Sequence, residues 1–216
     1  MEITMFKQFL LSLTLVLSGV ACAADGDDIY NAGEHYDVIA PAIRTANPDK
    51  IEVTEFFWYG CAHCYNFEPL ISKWKDGLAD DVVFQGSPAV WAPQMELHSK
   101  AYFAAQVLGV LDTMHLPLFQ AMNVDRKRLA SESEIAALFE ANGVAEADFV
   151  KAYNSFGVSS MVRQASSKAK AAKITGTPEI MVNGKYRVTT RKAGTQAKML
   201  EIVDFLVEKE RAAAAL

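Results

Sequence analysis

The chain has 216 residues, 51% of them hydrophobic, and a formal net charge of −5, enough apolar material for one sizeable domain or a domain carrying an insert. No run of Lys or Arg offers a footprint for phosphate backbones or anionic lipid heads, so no nucleic-acid partner is expected. Three cysteines are too few to staple a scaffold of this length, which directs attention to chemistry at the close pair Cys61 and Cys64.

At the N-terminus, Lys7 precedes an apolar run from Phe9 to Val20, the size of a signal-peptide core and shorter than the roughly 20 residues of a spanning helix. Ala21-Cys22-Ala23 puts small residues where a leader peptidase reads, so residues 1–23 are expected to leave as a signal peptide and the mature chain to begin at Ala24. The rival, a lipoprotein acylated at Cys22, is disfavoured because Gly19 stands where such signals usually carry Leu. Glu2 offsets the charge of Lys7, and a start at Met5 removes it.

From Ile51 to Tyr59 the sequence is β-branched and aromatic, a buried-strand pattern ended by Gly60. Tyr65 to Leu78 then sets Phe67, Leu70, Ile71, Trp74 and Leu78 at the helical period, with Pro69 expected to kink the helix. A second strand is predicted around Val82-Val83-Phe84, with Pro88 and Pro93 bracketing its exit. Between Gln94 and Lys173 the pattern is helical: Leu97 to Leu111, Leu116 to Met122, Glu134 to Ala141 with Ser131 or Ser133 as cap, Glu146 to Tyr153, and Val158 to Lys173. Glu179 to Val182, Asn183-Gly184 and Tyr186 to Val188 read as a hairpin, followed by a helix from Thr195 that carries Met199, Ile202, Val203 and Leu206 on one face. The order predicts an α/β protein whose mixed sheet is interrupted by an all-helical domain.

Cys61 and Cys64 are spaced so that one helical turn brings their sulfurs within bonding reach. Cys61 falls at the helix start, where unpaired N–H groups and the macrodipole favour a thiolate, and His63 can add to that stabilisation. Cys64, one turn in, is expected to be more buried and to resolve. A structural bridge or half a metal site are the competing uses of such a pair. Zinc needs about four ligands, and no second Cys pair exists; His35, His98 and His115 read as scattered surface or helix-face residues, and Tyr65 after Cys64 excludes a c-type haem attachment. Thr177-Pro178 precedes the hairpin strand. A cis bond there, close to Cys61, would present the Thr177 backbone to an extended substrate segment for strand addition.

Together these features resemble a thioredoxin fold. Glu55-Phe56-Phe57, Cys61-Ala62-His63-Cys64-Tyr65, Phe67-Glu68 and the late Thr177-Pro178, with the helical insert, resemble the DsbA family of periplasmic dithiol oxidases across nearly all of the mature chain. The resemblance implies a thioredoxin domain formed by residues 24–92 and 174–216, with residues 93–173 as the helical insert. It further implies that Cys61 is the nucleophile, that Cys64 resolves the mixed disulfide, and that Pro178 is the cis-proline facing them. Thr177 and Pro178 would bind substrate, while Glu55 and Glu68 would relay protons near Cys64. The implied function is donation of the Cys61–Cys64 disulfide to newly exported, reduced or unfolded proteins. The enzyme would act as a periplasmic monomer with no cofactor beyond that disulfide, reoxidised by a DsbB-type membrane protein. Ala62 departs from the Pro found in many members, and no lysine occurs around Phe84-Gln85-Gly86 to pair with the buried acids. The alternatives are a reductase or isomerase of the same fold, or a non-catalytic chaperone gripping peptides beside Trp58, Trp91 and Pro178.

Overall fold

The structure, a computed structural model, describes residues 29–215; the expected leader, with its cleavage site and Cys22, lies outside the described residues. Among the described residues, five strands form one mixed sheet. They are β1 (Asp37–Val38), β2 (Ile51–Phe57), β3 (Val82–Pro88), β4 (Glu179–Val182) and β5 (Tyr186–Thr189), in the spatial order β1-β5-β4-β2-β3. β2 runs parallel to β3 and antiparallel to β4, and β4 and β5 form the hairpin. The helices are α1 (Ala62–Lys75), α2 (Pro93–Val107), α3 (Leu111–Asn123), α4 (Glu132–Ala141), α5 (Glu146–Tyr153), α6 (Phe156–Ala171), α7 (Thr190–Ala193) and α8 (Gln196–Ala214).

The central strand β2 is buried along its whole length, and its two-residue alternation sorts side chains between two layers. Ile51 and Val53 pack with Phe67 and Ile71 of α1 and with Met199, Ile202, Val203 and Leu206 of α8. Phe56, on the opposite face, meets Ala169, Ala172 and Ile174 around the end of α6. Glu52 and Thr54 share that face, where Lys168 Nζ pairs with Glu52 Oε1 at 3.1 Å. Glu55 therefore shares the α1 face with Val53, and it is buried there.

A third cluster joins the helical layer to the strand end: Phe57, Tyr59 and Cys64 pack with Tyr102, Met114, Leu118, Phe119, Phe139, Phe149 and Tyr153. Gly86 of β3 permits this contact, because a Cβ there would lie 2.8 Å from the Tyr102 hydroxyl and 3.2 Å from the Phe57 ring.

Local chemistry explains where the observed elements depart from the sequence expectations. α1 starts at Ala62 with Cys61 as its N-cap, as the spacing predicts, and it runs on through Pro69 without interruption. α2 begins at Pro93, a favoured first-turn position for proline, and ends before Gly109 at φ +70°. α3 then begins at Leu111, five residues ahead of the expected Leu116. Ser131, not Ser133, caps α4 by accepting from the Glu134 N–H, and Glu134 reaches back to the Ala130 N–H. β1 and α7 had no distinguishing pattern, at two and four residues. At the hairpin, Asn183 and Gly184 adopt φ of +50° and +66°, the pair of left-handed values that such a turn demands.

Candidate active site

β2 delivers the chain to Trp58-Tyr59-Gly60, and the Cys61 N–H donates to the Trp58 carbonyl at 2.9 Å, closing a turn that aims Cys61 at the start of α1. Cys61 is the N-cap, with extended φ and ψ, and its Sγ accepts from the Cys64 N–H at 3.4 Å. No acidic residue occupies the first turn of α1, so nothing there opposes the positive end of the helix dipole. Cys61 is half-buried and Cys64 fully buried, and the two thiols are unbridged.

These surroundings pull the two sulfurs apart in acidity. Cys61 is lowered to about 5, chiefly by the Cys64 side-chain hydrogen bond, against the opposing effect of burial and with help from Thr177 and the backbone N–H groups of Cys64 and His63. Cys64 is pushed well up, first by burial and then by its bond to Cys61 and the charges of Cys61 and Glu55. At neutral pH the accessible sulfur is a thiolate and the inaccessible one a thiol.

Thr177 and Pro178 come from the loop before β4. Their peptide bond is cis, and the Cys61 Sγ lies 3.3 Å from the Thr177 carbonyl, to which a Cys61 thiol would donate. Pro178 is buried and Thr177 partly exposed. The following residue, Glu179, steadies the loop by accepting from the Thr175 N–H and hydroxyl at 3.3 and 3.2 Å.

His63 is exposed, and its carbonyl accepts from Gln196 Nε2 of α8 at 2.6 Å. Its backbone N–H adds a small part to the lowering of the Cys61 thiol.

Glu55 and Glu68 lie behind the cysteines. Burial pushes the Glu55 carboxyl well above the usual range, and the negative charge of Glu68 adds to the effect. Its Oε1 has no hydrogen-bond partner. Glu68, on α1, is also buried, and its Oε1 lies 3.3 Å from His115 Nε2. The cation that eases Glu55 comes not from β3 but from Lys75 of α1, seven residues after Glu68 and hence on the same helix face. Lys75 also rests over the Phe84 ring at 5.1 Å.

Of the histidines expected at surface or helix-face positions, two lie on helices and face inward. His98 is buried, with Nδ1 accepting from Trp58 Nε1 at 2.9 Å and Nε2 lying 3.1 Å from the Leu129 carbonyl. His115 sits between Glu68 and Tyr59. A signal was present: His115 falls four residues from both Leu111 and Phe119, on the apolar stripe of α3. Trp91 is exposed, while Trp58 is partly covered by stacking on His98.

The family model of the DSBA-like thioredoxin domain matches residues 79–200. The thiol:disulfide interchange protein DsbA of Pseudomonas aeruginosa is 37% identical over 209 residues, covering 96% of this chain and 99% of that protein. The Azotobacter vinelandii protein of the same name is 39% identical over 181 residues, 84% of this chain and 85% of its own. Among solved structures, Pseudomonas aeruginosa DsbA superposes with a TM-score of 0.85 at 38% identity, covering 88% of this chain and 99% of that one. The Xylella fastidiosa oxidoreductase DsbA gives 0.80 at 34%, covering 85% and 98%. With an acidified thiol at a helix start, a buried partner one turn in, and these likenesses along nearly its full length, the chain belongs to the DsbA family of thioredoxin-fold thiol:disulfide oxidoreductases.

Proposed function

We propose that this protein is a periplasmic dithiol oxidase that donates its Cys61–Cys64 disulfide to newly exported proteins. The observation that carries the reading is the opposite displacement of the two thiols: Cys61 lowered to about 5 and Cys64 raised well above its ordinary value. A substrate thiolate attacks Cys61 Sγ, the Cys61–Cys64 bond breaks, and its electron pair goes to Cys64 Sγ, which takes up a proton. A second substrate thiolate then attacks the substrate sulfur of the mixed disulfide, and Cys61 leaves as a stable thiolate. Release is favourable because that leaving group is weakly basic.

In this mechanism Thr177 and Pro178 receive the substrate segment beside Cys61, the Thr177 backbone offering strand-type pairing. Glu55 supplies the proton for Cys64, Glu68 restores it, and His63 helps hold the Cys61 thiolate. The redox group is the cysteine pair itself. Export follows the leader read at residues 1–23, the enzyme acts as a monomer, and a DsbB-type membrane protein returns the pair to the disulfide.

Anaerobic incubation of the oxidised protein with a reduced two-cysteine peptide tests this. One equivalent of peptide disulfide per enzyme is expected by mass, and none from Cys61→Ser. A protein that leaves the peptide reduced, or whose Cys61 titrates above about 7, would fit a reductase or a binding protein instead.

A further inference from the structure

His115 belongs to α3 of the helical layer, yet both its ring nitrogens engage groups beside the cysteine pair. Nε2 is 3.3 Å from Glu68 Oε1, and Nδ1 is 2.9 Å from the Tyr59 hydroxyl. The rings of Phe57, Tyr59, Tyr102 and Phe119 surround it edge-on, with centroids 5.2 to 6.0 Å away. Its side chain keeps 20% exposure, against 11% for Glu68, and Glu55 behind them is almost wholly enclosed. Of the titratable groups near Cys64, His115 is therefore placed between the enclosed acids and water.

Burial raises the Tyr59 phenol far above its ordinary range, so its hydroxyl keeps its proton and is able to donate to Nδ1. In the tautomer that then satisfies both contacts, the ring proton is on Nε2 and is donated to Glu68 Oε1. If Nδ1 takes a proton from solvent and the Tyr59 hydroxyl turns to accept, Nε2 can release its proton to Glu68. One proton enters at Nδ1 and one leaves at Nε2, with both contacts preserved.

We propose that His115 is a positioning residue that orients Glu68 and passes a proton from solvent to the buried acids whenever the Cys61–Cys64 disulfide is reduced. The inference deepens the oxidase reading and uses its chemistry. When a thiolate breaks the disulfide, the Cys64 sulfur receives the electron pair and takes a proton from the Glu55 carboxyl. Glu55 is reprotonated by Glu68, and Glu68 through His115. The titratable neighbours that share this space are Glu68 from α1, Tyr59 from the end of β2, Tyr102 from α2, Asp112 from α3 and Glu55 from β2, all of which couple electrostatically around the Tyr59 and Tyr102 hydroxyls.

Reduction of the oxidised protein by dithiothreitol, followed by rapid quenching and mass analysis, tests the proposal without any protein substrate. His115→Gln can still donate to Glu68 and accept from Tyr59 but cannot carry a proton. Its reduction should slow about 10-fold, less than the roughly 100-fold or greater loss for a group that transfers the proton itself, with the Cys61 thiolate midpoint and melting temperature kept. His115→Ala should be slow too and be accelerated by added imidazole. A wild-type rate in His115→Gln, or a slow His115→Ala that imidazole leaves slow, overturns the proposal. Failure of the wild type to oxidise a peptide would instead count against the oxidase reading, because dithiothreitol reduction does not depend on it.

Discussion

The Cys64 N–H donates to the Cys61 Sγ at 3.4 Å, so the sulfur that meets substrate is also the cap of α1. With the Cys64 side chain as the chief stabilising partner and this N–H adding to it, thiolate absorbance of the reduced protein should titrate with a midpoint near 5. Because this folded-state value lies below that of an unfolded thiol, about 8.5, the thiolate's contribution to the stability of the reduced form is complete above the unfolded value. It declines as pH falls and is gone below the folded one. The reduced form should accordingly be more stable than the oxidised form at neutral pH, and chemical denaturation of both forms at pH 8 and pH 4 should show the gap closing. Each unit of thiolate stabilisation is at most about 30 mV of potential, and solvent at the half-exposed Cys61 screens it further.

Replacing Glu55 by Gln should make the protein more stable and slower. Its carboxyl is enclosed and raised well above the ordinary range by burial, so ionising it in the folded protein costs stability that a neutral amide does not. A raised folded-state value means that stability is fully retained below the unfolded value and lost as pH rises through the folded one. The gain in denaturant midpoint for Glu55→Gln should thus grow from pH 5 to pH 8, while reduction of its disulfide slows.

His98 makes the opposite prediction. Burial lowers it, so the folded protein resists a proton that the unfolded chain accepts at about 6.5. Stability should fall as pH drops below that value toward the folded one. Protonation would also set an Nδ1–H against the Trp58 N–H, so Trp58 fluorescence should follow the same acid transition. His98→Gln keeps one donor and one acceptor and should flatten both curves.

Gly86→Ala should destabilise by about 1–3 kcal/mol, the usual cost of overpacking, because the new methyl would fall 2.8 Å from the Tyr102 hydroxyl. Urea midpoints of the two proteins measure it; an unchanged midpoint would mean that Tyr102 moves freely.

Sequence pattern made β2, the hairpin and the last helix legible because each joined a clear period to a turn signal. Cys61 and Cys64 were legible because their chemistry depends on local spacing, and Thr177-Pro178, 116 residues from Cys61, gained its meaning only from that pair. The partners of His98, His115 and Lys75 were not. Each acts across a distance in sequence, His98 on Trp58 forty residues away and His115 on Glu68 forty-seven away, and a lone histidine within a helix carries no mark of the partner that folding brings to it. β3 carries no lysine, and positive charge reaches Glu55 instead from the end of α1.

Three hydrogen bonds run from α2 and α3 to the two residues just ahead of Gly60: His98 to the Trp58 indole, His115 to the Tyr59 hydroxyl, and Asn123 to the Tyr59 carbonyl at 2.8 Å. Whatever free energy these contacts lend to one redox state of the cysteines, that redox state lends back to the helices. The helical layer thus bears on the turn that leads into Cys61. A partner bearing on α2 or α3 is expected to shift the potential without touching either cysteine, and reduction of the disulfide to change amide-exchange protection in those helices.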